Sequence, residues 1–372
     1  MKRWDIFCKV VDNFGDIGVC WRLAKQLQAE HGLQIRLFID DLQVAGKIIP
    51  NLDVSLTSQT IREIEIVRWR EQAVFERFPD AVIEAFGCEL PAAYLTHMPA
   101  ETAWVNLEYL SAEPWVEGFH GRCSDFGTTR HRRYFVYPGF TENTGGLLCE
   151  KSLSNDRPGS RIPPALQSID LPNDTREALK TSLFCYPQAP IGELLQLLSR
   201  ASQQCVVYVS ALALFPAVQA YLGIEKIDIG TSYTQGSLTV VTLPFLSQDD
   251  YDALLAHCDL NFVRGEDSWV RAIWAGKPFI WQPYQQEEGT HLGKLNAFLE
   301  LFYANFSQKQ VLWKAHECWL SGQGLREALR GYLPLLPAIQ AYTAQQSASL
   351  SKQKDLASNL VIFIENLEQT RV

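Results

Sequence analysis

Two carboxylates, a hydroxyl and a guanidinium crowd into one turn of the segment Cys258 to Tyr284, which reads CDLNFVRGEDSWVRAIWAGKPFIWQPY. The apolar run Leu260 to Val263 ends in Arg264-Gly265-Glu266-Asp267-Ser268. A helical run follows, Trp269 to Ala275, and Gly276-Lys277-Pro278 stops it before a second strand, Phe279 to Trp281. Strand, tight polar turn, helix and strand make one crossover unit of a parallel sheet. Such a turn offers backbone N–H groups, the positive end of a helix dipole and the Ser268 hydroxyl at the carboxyl edge of the sheet, which is a place for a phosphate. The same pattern fits an ordinary α/β crossover with a capped helix. Neither GxGxxG nor GxxxxGK[ST] occurs, so the common dinucleotide and P-loop readings lose their main support.

A second acidic turn lies near the start. The strand predicted over Ile6–Val11 runs into Asp12-Asn13-Phe14-Gly15-Asp16-Ile17-Gly18, an exposed turn before a helix. Asp16 alone fits a helix N-cap, which contributes about 1 kcal/mol. Two acids on one turn exceed what a cap needs and could grip a cation or take a proton. Further on, Asp250-Tyr251-Asp252 matches the DxD of metal-dependent glycosyltransferases. We set that match aside: Ser247 followed three residues later by Asp250, ahead of Leu254 and Leu255, reads as a capping box with Asp in place of Glu. Both Asp250 and Asp252 are then helix-capping acids favoured by the dipole, and no metal is expected. Phe184-Cys185-Tyr186-Pro187 closes a strand with two aromatics that could stack on a base or fill the core.

The elements that must position these groups alternate along the whole chain, as in an α/β protein with parallel sheets. In the first half the spacing predicts a helix over Gly18–Glu30 and strands at Ile35–Ile39, Glu63–Val67, Ala81–Ala85, Ala103–Leu107 and Tyr134–Tyr137. From Leu147 to Asn173 the apolar pattern lapses into Ser, Asn, Pro and Gly, a linker. The second half restarts with strands at Ser182–Tyr186, Cys205–Val209 and Ser237–Leu243, and helices at Ile191–Gln203, Leu212–Leu222 and Gln248–His257. Helical patterning dominates after His291, ending in an amphipathic run, Leu356–Leu367. Residues 1–155 and 174–350 are therefore expected to form two Rossmann-like domains, with the C-terminal helix, about 354–372, packing back on the first. Ligands of such sheets sit beyond the carboxyl ends of the strands.

Composition narrows the function classes. The 372 residues suffice for about two domains, and a hydrophobic content of 47% with ten Trp supplies their cores. A formal charge of −9 argues against a broad nucleic-acid surface; the Arg130, Arg132 and Arg133 patch reads as a solvated loop. Nine scattered cysteines without a CxxC pair fit neither a zinc site nor a disulfide framework. With an early acid at Asp5 the N-terminus does not read as a signal peptide, and no apolar run is long enough to span a membrane. The expectation is a reduced, cytoplasmic protein.

The turn DNFGDIG, FCYP at 184–187, PGFTENTGGLL at 138–148 and LPFLSQDDYDALLAHCDLNFVRGEDSWVRAIWAGKPFIWQPY at 243–284 together resemble the bacterial elongation factor P arginine rhamnosyltransferases, over essentially the whole chain. The resemblance implies a GT-B glycosyltransferase, two facing Rossmann-like doubly wound domains with a cleft between them. It implies an inverting transfer of L-rhamnose from dTDP-β-L-rhamnose to an arginine guanidinium on a loop of the N-terminal domain of elongation factor P, activating that factor for ribosomes stalled at polyproline. Asp12, Asp16 and Glu266 fall on the family's essential acids. Phe184, Tyr186, Phe245, Gln248, Tyr251, Arg264, Asp267 and Ser268, with Gly15, fall on its donor-binding positions; Asn13, Glu108 and Tyr109 are candidates for touching the arginine. No cofactor, metal, nucleic acid or membrane is implied. Two other classes stay open: a sugar-nucleotide-binding adaptor of elongation factor P, and a GT-B transferase acting on a cell-envelope precursor.

Overall fold

The computed structural model describes residues 2–12, 14–70, 75, 77–125, 131–151, 153, 163–167, 169, 177–285 and 289–369. The chain divides into two compact units, Met1–Asn155 with Leu350–Val372, and Asp156–Ser349. Among the described residues no helix is long and apolar enough to cross a membrane.

The first unit is built on an eight-stranded sheet. Its strands are β1 (Arg3–Cys8), β2 (Gln34–Ile39), β3 (Ser58–Ile61), β4 (Ile64–Arg68), β5 (Ala81–Ala85), β6 (Ala103–Leu107), β7 (Cys123–Asp125) and β8 (Arg132–Val136). The order is β3-β4-β2-β1-β5-β6-β8-β7, parallel except for the edge strands β3 and β7. Every residue of β5 and β6 is buried, as a central parallel strand requires. The chain leaves β1 toward β2 and β4, then returns to the other side of β1 as β5. The loops after β1 and β5 therefore diverge, and a doubly wound sheet binds its ligands at such a switch point.

The second unit repeats the plan with six strands: β9 (Leu179–Leu183), β10 (Cys205–Val209), β11 (Ser232–Gln235), β12 (Leu238–Thr242), β13 (Leu260–Arg264) and β14 (Phe279–Gln282). The order is β11-β12-β10-β9-β13-β14, with only β11 antiparallel, so the switch point lies between β9 and β13. Trp269 stacks on Trp281 with ring centroids 3.7 Å apart, seating the helix Asp267–Ala275 against β14.

Several boundaries differ from the sequence expectation, for physical reasons. The first strand spans Arg3–Cys8 instead of Ile6–Val11. Val10 and Val11 have strand-forming side chains, but their N–H groups go to the carboxylates of Asp40 (2.9 Å) and Asp16 (2.7 Å), not to a neighbouring strand. Strand formation begins earlier because the acid within it is neutralised: Asp5 accepts from Arg36 Nε (2.7 Å) and Nη2 (2.5 Å) and from the Tyr94 hydroxyl (2.8 Å). The first helix runs Phe14–His31, four residues earlier than expected, which places Gly15, Asp16 and Gly18 inside it instead of in a preceding turn. Strand β9 ends at Leu183, so Phe184 to Pro187 follow the strand rather than close it. The hairpin β3–β4 was not anticipated: its turn holds Arg62 and Glu63 at φ 50° and 61°, without the Asn-Gly pair that advertises such turns.

The C-terminal helix Leu356–Gln369 belongs to the first unit. Lys2 pairs with Glu368 at 2.6 Å, and Gln26 donates to Asp355 at 2.9 Å.

Because Asp5 is fully buried, removing its cation leaves an uncompensated charge. Arg36→Met should destabilise the first unit by about 3–5 kcal/mol, measured as a lowered urea midpoint. A shift too small to resolve would mean that Tyr94 alone satisfies Asp5.

Candidate active site

The loops at the two switch points carry most of the candidate residues. In the first unit Asp16, 2% exposed, sits in the opening turn of the helix Phe14–His31 and reaches back toward the strand end. Its Oδ2 accepts from the N–H groups of Val11 (2.7 Å) and Asp12 (2.8 Å), and its Oδ1 from the Tyr109 hydroxyl (3.2 Å). Asp16 thus reaches back past the helix start to two amides that precede it, which is not the geometry of an N-cap. Burial pushes this carboxyl above its ordinary value; the two amides and Tyr109 act against that, and the nearby Asp40 charge adds to it. Each carboxylate oxygen can accept about two hydrogen bonds. Oδ2 is filled by backbone, whereas Oδ1 has a single donor among the described residues and keeps capacity for a proton.

Asp12 is half-buried, and its carboxylate lies against Gly15: a Cβ built there would stand 2.9 Å from Asp12 Oδ2. Gly15 thus makes room for the first acid. Glu108 accepts from Asn106 Nδ2 at 2.6 Å, directly before Tyr109 at the end of β6. Asn13 lies outside the described residues.

In the second unit Arg264 ends β13 with its guanidinium over two rings, 4.7 Å from the Phe184 centroid and 4.5 Å from that of Tyr186. Its Nε is buried and finds no hydrogen-bond partner among the described residues. The Tyr251 ring packs on Phe184 at 5.3 Å; its buried hydroxyl meets no partner of hydrogen-bond geometry among the described residues, and burial raises this phenol while Ser268 acts in the other direction. The Tyr186 N–H donates to Gln282 Oε1 at 2.8 Å, tying the loop after β9 to β14. Gly265 takes φ 58°, a conformation that favours glycine, and is bound on both sides: its N–H donates to Gln282 O (3.2 Å) and its carbonyl accepts from Trp281 Nε1 (2.8 Å). Glu266 and Asp267 are half-buried at the start of the helix Asp267–Ala275. Phe245 is half-buried just beyond β12, and Gln248, 7% exposed, is the first residue of the helix Gln248–His257.

Two expectations need correction. The Ser268 hydroxyl is not presented outward: it accepts from Arg264 N at 2.9 Å, donates to Arg264 O, and is 4% exposed. A serine in the first turn of a helix can bond its own backbone in this way, and here it closes the turn on itself. The reading of Asp250 and Asp252 divides. Ser247 is the N-cap, accepting from Asp250 N at 3.2 Å and donating to the Asp250 carboxylate at 2.8 Å, as the capping box requires. Asp252 is beyond the first turn and instead pairs with Arg271 of the next helix, at 2.7 and 3.1 Å.

Sequence reasoning missed a polar network behind Glu108. Glu84, fully buried in β5, accepts from Trp104 Nε1 (2.9 Å), Arg133 Nη2 (3.0 Å) and Glu89 N (2.9 Å), and Arg133 also donates to Asn106 Oδ1 at 2.8 Å. One signal was available: an acid in the middle of the apolar run Ala81–Ala85 must be paired if that run is a central strand.

Comparison with known proteins bears on this geometry. The family described as Elongation-Factor P (EF-P) rhamnosyltransferase EarP matches residues 4–365. The protein-arginine rhamnosyltransferase of Pseudomonas putida (strain KT2440) is 41% identical over 378 residues, covering 98% of each chain. A solved structure giving the structural basis for EarP-mediated arginine glycosylation of translation elongation factor EF-P aligns with TM-score 0.69 and 34% identity, over 98% of this chain and 99% of that one. The spinosyn rhamnosyltransferase SpnG, solved with thymidine diphosphate, aligns with TM-score 0.52 over 98% of this chain and 100% of its own; at 14% identity it speaks for the fold alone. The fold is GT-B.

The Arg271 side chain is 3% exposed, so Asp252 is a structural acid whose loss has a cost. Asp252→Asn should destabilise the second unit by about 1–3 kcal/mol, seen as a lowered thermal midpoint. An unchanged midpoint would return Asp252 to the role of a dispensable helix acid.

Proposed function

We propose that this chain, which belongs to the EF-P rhamnosyltransferase family, moves L-rhamnose from dTDP-β-L-rhamnose to a guanidinium nitrogen of an arginine on EF-P, with inversion at the anomeric carbon. Family membership supports the reaction class. The observation that carries the roles is Asp16: a buried carboxylate with one oxygen filled by backbone amides and the other able to take a proton.

In this reading the guanidinium nitrogen attacks C1, the C1–O bond to the β-phosphate breaks, and dTDP leaves with the electron pair. The N–H proton passes to Asp16 Oδ1. Asp12 holds the guanidinium by charge. On the donor side, the developing phosphate charge meets Arg264, Tyr186 and the N-terminal end of the helix Asp267–Ala275. The unpartnered Arg264 Nε and Tyr251 hydroxyl support that assignment, since buried donors of native proteins are normally satisfied. Phe245 and Gln248 suit a neutral base, one as an apolar wall and the other as an amide partner. Glu266 and Asp267 are assigned to the sugar side of the same turn. Ser268, engaged by the Arg264 backbone, is assigned to bracing that turn instead of touching phosphate. Glu108 and Tyr109 flank the arginine. No metal is invoked, because the cationic side chain and the helix end supply the positive potential. An adaptor that only bound EF-P would have no use for a braced, proton-accepting oxygen. We also assign the protein to the cytoplasm, where EF-P works.

Asp16→Asn should fold and bind dTDP normally yet lose at least a hundredfold in turnover, the lower end of what removing a general base costs. Intact mass of EF-P after incubation with dTDP-rhamnose reads this directly, and turnover within about tenfold of wild type would reduce Asp16 to a capping residue. Asp16 must be ionised to accept the proton and its carboxyl is held above the ordinary range. The acid limb of kcat/KM should therefore lie above the roughly 3.9 of a free aspartate.

On the donor side, Arg264→Met should weaken dTDP binding about tenfold or more, the scale of a charge-assisted hydrogen bond, while EF-P still binds. Equal calorimetric affinity in wild type and variant would move the diphosphate elsewhere.

Transfer should survive EDTA, and the product should carry α-linked rhamnose, since one displacement leaves no route to retention. An absolute manganese or magnesium requirement, or a β-linked product, would overturn the single-displacement role of Asp16.

A further inference from the structure

We propose that Phe86 is a positioning residue for the transfer reaction, holding the Tyr109 hydroxyl on Asp16 through a ring stack. The inference rests on the role given to Asp16 above.

Phe86 belongs to the loop after β5, on the other side of the switch point from the acidic turn. Its ring lies on that of Tyr109 with centroids 4.4 Å apart and planes 13° from parallel. An offset stack of this kind is favourable beyond the area it buries, and a flat neighbour leaves the Tyr109 ring little freedom to turn. The same Tyr109 donates its hydroxyl to Asp16 Oδ1.

The backbone that carries Phe86 is strained. Phe86 takes φ 58°, Gly87 63° and Glu89 58°, three left-handed residues within four. A bulky aromatic seldom adopts this conformation, and such outliers persist only where the surroundings over-determine them. The surroundings here do so. Phe86 N donates to Leu107 O at 2.7 Å, Gly87 N to Asn106 Oδ1 at 3.1 Å, and Glu89 N to Glu84 Oε1 at 2.9 Å. Arg133 ties Glu84 to Asn106, and Asn106 also holds Glu108. One buried network thus fixes the strained loop and the two residues flanking the arginine. A loop needed only for chain reversal could relax by placing glycine at position 86. Instead a ring stands there, and its flat partner is the one side-chain donor to Asp16 among the described residues.

Among the described residues the groups acting on Asp16 include the Val11 and Asp12 amides of its own turn, Asp40 just after β2, Cys8 on β1, and Tyr109 after β6. Of these, Tyr109 is the one that Phe86 can move. Its hydrogen bond favours the ionised carboxylate, so losing it must raise the Asp16 carboxyl further, and the acid limb of the pH profile must move to higher pH.

The test compares wild type, Phe86→Ala, Phe86→Tyr, Tyr109→Phe and the double variant Phe86→Ala/Tyr109→Phe. For each, kcat/KM for EF-P is followed against pH, the Asp16 carboxyl is titrated by NMR, the urea midpoint of the first unit serves as the check on folding, and dTDP binding as the check on the donor side. We expect Phe86→Ala to bind dTDP as wild type does, to lose about tenfold in turnover, and to raise both the acid limb and the carboxyl titration by roughly half to one pH unit, the scale of one hydrogen bond. Tyr109→Phe should reproduce that pH shift, the double variant should add nothing to it, and Phe86→Tyr, which keeps the stack, should restore both profiles. Wild-type profiles in Phe86→Ala would overturn the proposal, as would shifts that add in the double variant. If wild type transfers no rhamnose, the functional reading fails by itself, and the carboxyl titration still decides whether Phe86 governs Asp16.

Discussion

Where a strand stops at the carboxyl edge of a sheet, its last N–H groups lose their ladder partners, and at a switch point the two diverging loops cannot pair with each other. Those amides must be satisfied by side chains. In the first unit carboxylates do this: Asp40 for Val10, Asp16 for Val11 and Asp12, Glu84 for Glu89. In the second unit an amide and a hydroxyl do it: Gln282 for Tyr186, Ser268 for Arg264. The same topology therefore yields an acidic edge in one unit and, in the other, an aromatic edge that carries the Arg264 guanidinium. The difference lies in which acceptors the sequence sends back to the strand ends.

That difference has chemical consequences. A carboxylate that caps backbone amides is fixed in place, and burial makes it a stronger base than its solvated counterpart. Arg264 is held over the faces of Phe184 and Tyr186. Ring faces orient a guanidinium without consuming its hydrogen-bond donors, whereas a carboxylate would both neutralise it and occupy them. Each edge thus matches one reactant of the proposed transfer, the acidic one a cation and the arginine-bearing one a diphosphate.

Much of this was legible in sequence where burial dictates the residues. Ala81–Ala85, Ala103–Leu107 and Cys205–Val209 are mostly apolar runs, the first two each admitting one polar residue, and are strands with those bounds. The helix Gln248–His257 begins where Ser247 and Asp250 said it would, because a capping box is local chemistry. The failures arise where a side chain's partner, near or far along the chain, cannot be read from the local pattern. Val10-Val11 reads as strand until Asp40 and Asp16 take their amides. Asp252 reads as a helix-end acid until Arg271 is found beside it. Ser268 is an outward hydroxyl only if the helix starts at Trp269, two residues later than it does. Phe86 carried no signal, since neither its φ nor its stack on Tyr109 can be read from the letters AFGCEL.

Energetics set limits on how Asp16 can act in the proposed reaction. An arginine guanidinium titrates above ~12 and a carboxylate near 4, a gap of roughly 8 pH units, or about 11 kcal/mol at 1.36 kcal/mol per unit. Burial of Asp16 narrows that gap only in part, and a second negative charge at Asp12 favours the cation while it also favours protonation of Asp16. Deprotonation ahead of attack is therefore the costly order of events. As the N–C1 bond forms, however, the nitrogen's N–H becomes acidic, and the proton can move to Oδ1 with little further cost. The base has to be in place at that moment and in one orientation. A carboxylate pinned by two amides and a stacked tyrosine meets that requirement better than one of higher pKa but free rotation. Asp12 then contributes by holding the cation against its partner acid, which makes it an anchor and not a second base.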